Sequence, residues 1–150
     1  MERAKVYFTP EISPDALQRM YHALERSLTG RVAVKISTGE PGGHNFLQPS
    51  LIRGLVEELQ GTIVECNTAY AGRRNTTGEH WKAIAEHGFL DIAPCDIMDE
   101  DGELSIPVNG GKHLTENFVG AHLQRYDSML LLSHFCLLYT SPSPRDGLLS

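Results

Sequence analysis

The sequence predicts an α/β fold, a mostly parallel sheet with flanking helices and an inserted β-hairpin. Short apolar runs of strand length alternate with amphipathic patterns of 10–15 residues, the signature of stacked βαβ units. Helix start and stop signals separate the two kinds of segment. From residue 99 the alternation gives way to an acidic stretch with an Asp-Gly step and period-two patterning, which marks the hairpin.

Each element has its own warrant. Lys5-Val6-Tyr7-Phe8-Thr9 is β-branched and aromatic, an opening strand stopped by Pro10. Ser13-Pro14-Asp15 supplies an N-cap, a proline at the first helical position and an acid in the first turn. Ala16, Leu17, Met20, Tyr21, Leu24 and Leu28 then recur at three- and four-residue steps, predicting a helix over about 14–29 closed by Gly30. Val32-Ala33-Val34-Lys35-Ile36 is a buried strand that opens into a glycine-rich loop, 37–45. Pro49 heads a second helix, with Leu51, Ile52, Leu55, Val56 and Leu59, ended by Gly61. Thr62-Ile63-Val64-Glu65-Cys66-Asn67 is the next strand, followed by a polar loop carrying Tyr70, Arg73 and Arg74. Trp81, Ile84 and Ala85 mark a third helix stopped by Gly88, and Phe89-Leu90-Asp91-Ile92-Ala93-Pro94 returns as strand. The hairpin falls over 99–108. A weaker helix with Leu114, Phe118, Val119, His122 and Leu123 precedes a last strand, 128–135.

Composition narrows the function classes. A chain of 150 residues with 41% hydrophobic and 21% charged residues has the balance of one folded core and excludes wholesale disorder. A net charge of −6 offers no basic footprint for nucleic acid. No apolar run of about 18 residues is present to span a membrane, and the charged start Met-Glu-Arg-Ala-Lys lacks a signal core, so a cytoplasmic location is expected. Cys66, Cys95 and Cys136 are odd in number and widely spaced, without a CxxC pair. They suit a reducing compartment and cannot by themselves build a zinc knuckle or a ferredoxin-type cluster.

In an open parallel sheet, ligands sit outside the carboxyl ends of the strands. Among the loops gathered there, 37–45 is the sharpest feature. Gly42 and Gly43 can present backbone N–H groups to an anion ahead of a helix, with Asn45 beside them. Neither a Walker loop nor GxGxxG is present. A tight strand-to-helix turn is the competing account of the glycines. Asn67, Lys35, Arg73 and Arg74 are placed to complete a pocket for phosphate or carboxylate, although Arg73-Arg74 equally suits a solvated loop edge. His44 and His134 also fall at carboxyl ends, near Cys66, Asp96 and Asp99, and could hold a transition metal. His80 and His87, seven apart, share one helix face, while His22 and His122 read as surface or satisfied core residues. The acidic run from Asp96 to Glu103 fails the calcium-loop spacing, since Ile97 and Val108 fall where carboxylates are required, and reads as a charged hairpin. Cys66 beside His44 or His134 is a weak candidate thiolate pair, with no GxSxG elbow present.

Residues 136–150 follow no pattern. Their Ser-Pro-Ser-Pro core forbids helix and strand, and a buried strand without a following helix leaves the fold truncated at its C-terminal end. Residues 136–150 therefore read as a non-native or disordered tail.

Several blocks resemble a known family. They are Lys5-Val6-Tyr7-Phe8, Val34-Lys35-Ile36-Ser37-Thr38-Gly39-Glu40-Pro41-Gly42-Gly43-His44-Asn45-Phe46-Leu47 with Pro49, and Val64-Glu65-Cys66-Asn67-Thr68-Ala69-Tyr70. Arg74-Asn75-Thr76-Thr77, His80-Trp81, Asp96-Ile97-Met98-Asp99 and Leu132-Ser133-His134-Phe135 continue the series. Over 4–135 the chain resembles the amino-terminal part of domain-of-unknown-function family 362, which implies that 1–135 is the front of a longer domain. The resemblance also implies an association with ferredoxin-like modules bearing [4Fe–4S] clusters. Such a cluster is expected only in full-length relatives, and no cofactor within this chain. The expected function is part of an iron–sulfur-associated, redox-linked enzyme with a ligand or metal site at the carboxyl edge. A non-catalytic module for a small anion or a partner protein is the alternative, as is a translated fragment without function.

Overall fold

The computed structural model describes residues 4–134. Helix α1 spans Pro14–Ala23, strand β1 Val32–Lys35, α2 Pro49–Glu58, β2 Thr62–Glu65, α3 Thr77–Glu86 and β3 Cys95–Ile97. Strands β4 (Glu103–Pro107) and β5 (Glu116–Gly120) form the hairpin, and β6 (Ser128–Leu131) completes the series. Strands β3, β2, β1 and β6 lie in that order in one parallel sheet, while β4 and β5 pair antiparallel in a second. The expected α/β class with an inserted hairpin is therefore the observed one, and no described helix is long and apolar enough to cross a membrane.

Period two divides the sheet. Val32, Val34 and Ile36, with Ile63 and Ile97, point to one face and pack with Ile52, Val56 and Ile84 of α2 and α3 and with Phe89. Helix α1 packs on α2. Its start is capped as the sequence requires, the Ala16 N–H donating to Ser13 Oγ at 3.1 Å. The opposite face carries Ala33, Val64 and Met98 and is met by Leu123, Tyr126 and Met129.

Five local expectations change. Residues 5–9 form no strand, and Val6 and Phe8 stand exposed: Lys5, Val6 and Tyr7 lie near Leu130, Leu131 and Leu132 at the free edge of β6 without pairing to it. Helix α1 ends at Ala23 rather than near 29: Glu25 adopts positive φ, and the following chain is drawn to β6, where Thr29 bonds Ser128 Oγ through its N–H and its carbonyl. Residues 89–91 form a 3-10 turn after the left-handed Gly88, so the strand starts six residues later, at Cys95, where pairing with β2 is available. The Asp101-Gly102 step precedes β4 instead of joining the hairpin strands. Finally, residues 116–120 are strand β5 and only 121–125 turn helically, since Leu104 and Ser105 pair with Val119 and Phe118. The expected tail, 136–150, and Phe135 at the end of the last predicted strand lie outside the described residues.

Candidate functional site

Strands β1 and β2 end on charged residues, and their carboxyl ends gather a buried polar cluster around Glu65. Its side chain lies on the helix-covered face and would be costly to bury alone. It is fully partnered. Oε1 accepts from the Thr38 N–H (2.9 Å), the Thr38 hydroxyl (3.2 Å) and Arg74 Nη1 (3.0 Å), while Oε2 accepts from Lys35 Nζ (3.1 Å). Arg74 is 5% exposed, and its remaining donors reach Glu40 Oε1 at 2.6 and 3.0 Å and the Tyr70 hydroxyl at 3.0 Å. The Arg74 hydrogen bond keeps the Glu40 carboxyl below its ordinary range.

His80, fully buried on α3, stands within 3.2 Å of both Thr38 Oγ1 and Asn67 Oδ1. Burial holds its pKa below the usual histidine value. Neutral His80 donates from Nδ1 to Asn67 Oδ1, and its Nε2 shares the single Thr38 hydroxyl proton with Glu65 Oε1. Its expected companion His87 reaches the same residue, Nδ1 lying 2.7 Å from the Thr38 carbonyl. The seven-residue spacing therefore clamps the loop after β1 instead of holding an ion. Asn67 also donates to Thr77 Oγ1 (3.0 Å) from its side chain and to Asp99 Oδ1 (2.9 Å) from its backbone.

A second cluster lies on the open face. His122, buried in the 121–125 turn, has Asp96 Oδ1 2.6 Å from Nδ1 and Asp101 Oδ2 2.7 Å from Nε2. Burial lowers its pKa, but the two carboxylates outweigh that and raise it. The Tyr126 hydroxyl donates to Asp96 Oδ2 at 2.7 Å. Beside this cluster a cavity of about 400 Å³ opens between sheet and hairpin, lined by Lys35, Cys66 and Asp99 with Met98, Phe118 and Leu123.

The residues singled out from sequence separate into two groups. Asn67 and Arg74 belong to the Glu65 cluster. Gly42, Gly43, His44 and Asn45 lie in the loop after β1, where His134 Nδ1 comes within 3.1 Å of the Asn45 carbonyl. Gly42 has positive φ and open space around it, but the Gly43 N–H is already bonded to the Glu40 carbonyl at 2.8 Å. Lys35, Arg73 and Arg74 do not form a vacant basic pocket, because each faces a carboxylate: Glu65 for Lys35, Glu79 and Glu86 for Arg73, Glu40 and Glu65 for Arg74. Cys66 and Cys95 are free thiols on opposite faces of the sheet. Burial, then Asp99, pushes the Cys66 thiol up, and burial takes Cys95 to about 12, the reverse of an activated nucleophile.

Sequence reasoning passed over Glu65, Thr38 and the pairing of Asp96 with His122. The signal was an acid inside an otherwise apolar strand, Thr62-Ile63-Val64-Glu65, which requires a buried partner that local spacing does not identify.

The family model described as Domain of unknown function (DUF362) matches residues 32–136, more than two thirds of the chain, including the sheet and both polar clusters. No curated protein and no solved structure matches the chain. With β1, the loop after it and every later strand inside the matched stretch, the chain belongs to the DUF362 family.

Proposed function

We propose that this chain is the front part of a cytoplasmic, redox-linked enzyme associated with iron–sulfur chemistry, binding a small anion or a metal in the crevice between the ends of β1 and β6. The observation that carries the site is the reversal of strand order. From β1 the chain steps to β2 and β3 on one side, and β6 returns on the other. At such a reversal, connections leave adjacent strands in opposite directions and open a crevice at their carboxyl ends. The loop holding Gly42, Gly43, His44 and Asn45 borders it, and His134 stands against Asn45.

The iron–sulfur association rests on the family resemblance. A [4Fe–4S] cluster requires four thiolates. Cys66 and Cys95, on opposite faces, do not supply them, so a cluster in such an enzyme belongs to another segment or subunit. The alternative, a non-catalytic binding module, draws on the saturation of the Glu65 cluster, whose charges all neutralise one another.

Thermal unfolding with phosphate, sulfate, zinc or nickel tests the crevice. A ligand bound only by the folded state raises Tm by mass action, about 2.7 kcal/mol at a hundred times Kd. The expected result is a rise that His134→Ala and His44→Ala reduce. No rise with any of the four at tens of millimolar anion or sub-millimolar metal, or an anion-induced rise unchanged by both substitutions, overturns the site.

A further inference from the structure

Asp96 ends up on the open face of β3, Glu100 in the turn that follows, and His122 in the 121–125 turn, 26 residues along the chain from Asp96. Each offers one ligand atom, and the three atoms lie within 4.8 Å of one another. We propose that Asp96, Glu100 and His122 form a binding site for a divalent first-row transition ion of the zinc or manganese class, separate from the β1–β6 crevice.

The hairpin builds this site. Gly120, at the end of β5, lies so close to β3 that a Cβ there would stand 2.6 Å from the Met98 carbonyl carbon. The His122 N–H then donates to the Met98 carbonyl at 2.9 Å, fixing the imidazole over Asp96.

Each candidate ligand is also held by a residue outside the trio. The Tyr126 hydroxyl takes Asp96 Oδ2 and leaves Oδ1 turned to His122. The Trp81 indole N–H donates to Glu100 Oε2 at 2.9 Å, leaving Oε1. Asp101, itself held by Arg125 at 3.1 Å, takes His122 Nε2, so that Nδ1 is the nitrogen turned to Asp96. A carboxylate on the far nitrogen of a ligating histidine, with hydrogen-bonded ligating carboxylates, is the usual outer support of a metal site. Two donors on one tetrahedral ion at about 2.0–2.1 Å stand about 3.3 Å apart. Asp96 Oδ1 and His122 Nδ1 share a hydrogen bond at 2.6 Å, so a bound ion displaces the proton between them and moves them apart by about 0.7 Å.

Charge and donor type select the ion. Among the described residues, neither Asp96 nor Glu100 has a lysine or arginine partner, so the site carries negative charge that a dication would neutralise. One imidazole with two carboxylates suits zinc, manganese or ferrous iron over magnesium and calcium, which take oxygen ligands. Asp96 and His122 are buried while Glu100 is exposed, so an ion enters past Glu100, and three protein donors leave a position for water or substrate.

Zinc titration of the chelator-treated chain by calorimetry, with metal content after dialysis, is the test. The expected result is a zinc retained against millimolar magnesium and unaffected by His134→Ala. His122→Ala and Asp96→Asn should abolish it. Because those side chains are buried, Glu100→Gln is the decisive variant: exposed, it should leave the metal-free melting temperature unchanged and weaken zinc by 10-fold or more. No zinc or manganese bound at tens of micromolar, wild-type affinity in Glu100→Gln, or loss of the ion in His134→Ala would each overturn the proposal.

Discussion

Replacing Arg74 with methionine keeps most of the side-chain volume and removes the guanidinium that bridges Glu65 and Glu40. Glu40 is half exposed and regains water, but Glu65 is buried and keeps only Lys35 as a cation, at 3.1 Å. Removing one partner of a buried ion pair costs about 3–5 kcal/mol. Lys35 and the two Thr38 donors remain, so the lower end applies, about 3 kcal/mol. That corresponds to a fall in Tm of about 6–12 °C for a domain of this size. Urea and thermal unfolding of the wild type, Arg74→Met, Glu65→Gln and the double variant measure it. With glutamine at 65 no buried charge is stranded, so the double variant should be more stable than the summed losses by at least about 1 kcal/mol. A loss below about 1 kcal/mol in Arg74→Met, or losses that add within about 0.5 kcal/mol, would refute the claim that Arg74 is there to neutralise Glu65.

Acid should weaken the fold through His80. Its pKa is depressed by burial, so the unfolded chain takes up a proton near its ordinary value, about 6.5, while the native chain resists. The contribution is therefore present above about pH 6.5 and lost as pH falls through the lower folded value. His80→Gln should flatten the decline in unfolding free energy between pH 6.5 and 5, and an equal slope in both proteins would contradict this account. Gly120→Ala places a Cβ 2.6 Å from the Met98 backbone and should cost about 1–3 kcal/mol in urea unfolding. Gly78→Ala, in α3 with open space around it, should cost nothing, and equal losses at the two glycines would remove the special role of close approach at Gly120.

Local chemistry made much of this protein legible. Proline at the first helical turn of α1 and α2, and the apolar runs at 32–36 and 62–64, depend on neighbours within a few residues, so β1, α2, β2 and α3 stand near their expected places. The open-sheet rule also led to Asn67, Arg74, Asn45 and His134, though not to their partners. What tertiary structure decided was every outcome that depends on pairing. Residues 5–9 have the composition of a strand but no ladder, whereas Cys95-Asp96-Ile97 becomes one because β2 offers its edge. Arg74 read as a free cation until the fold closed Glu40 and Glu65 around it. His122 read as a surface or satisfied core residue; it is buried, and two carboxylates 26 and 21 residues away satisfy it. A buried charge demands a partner, and the chain alone states the demand; only the folded backbone determines which distant residue meets it.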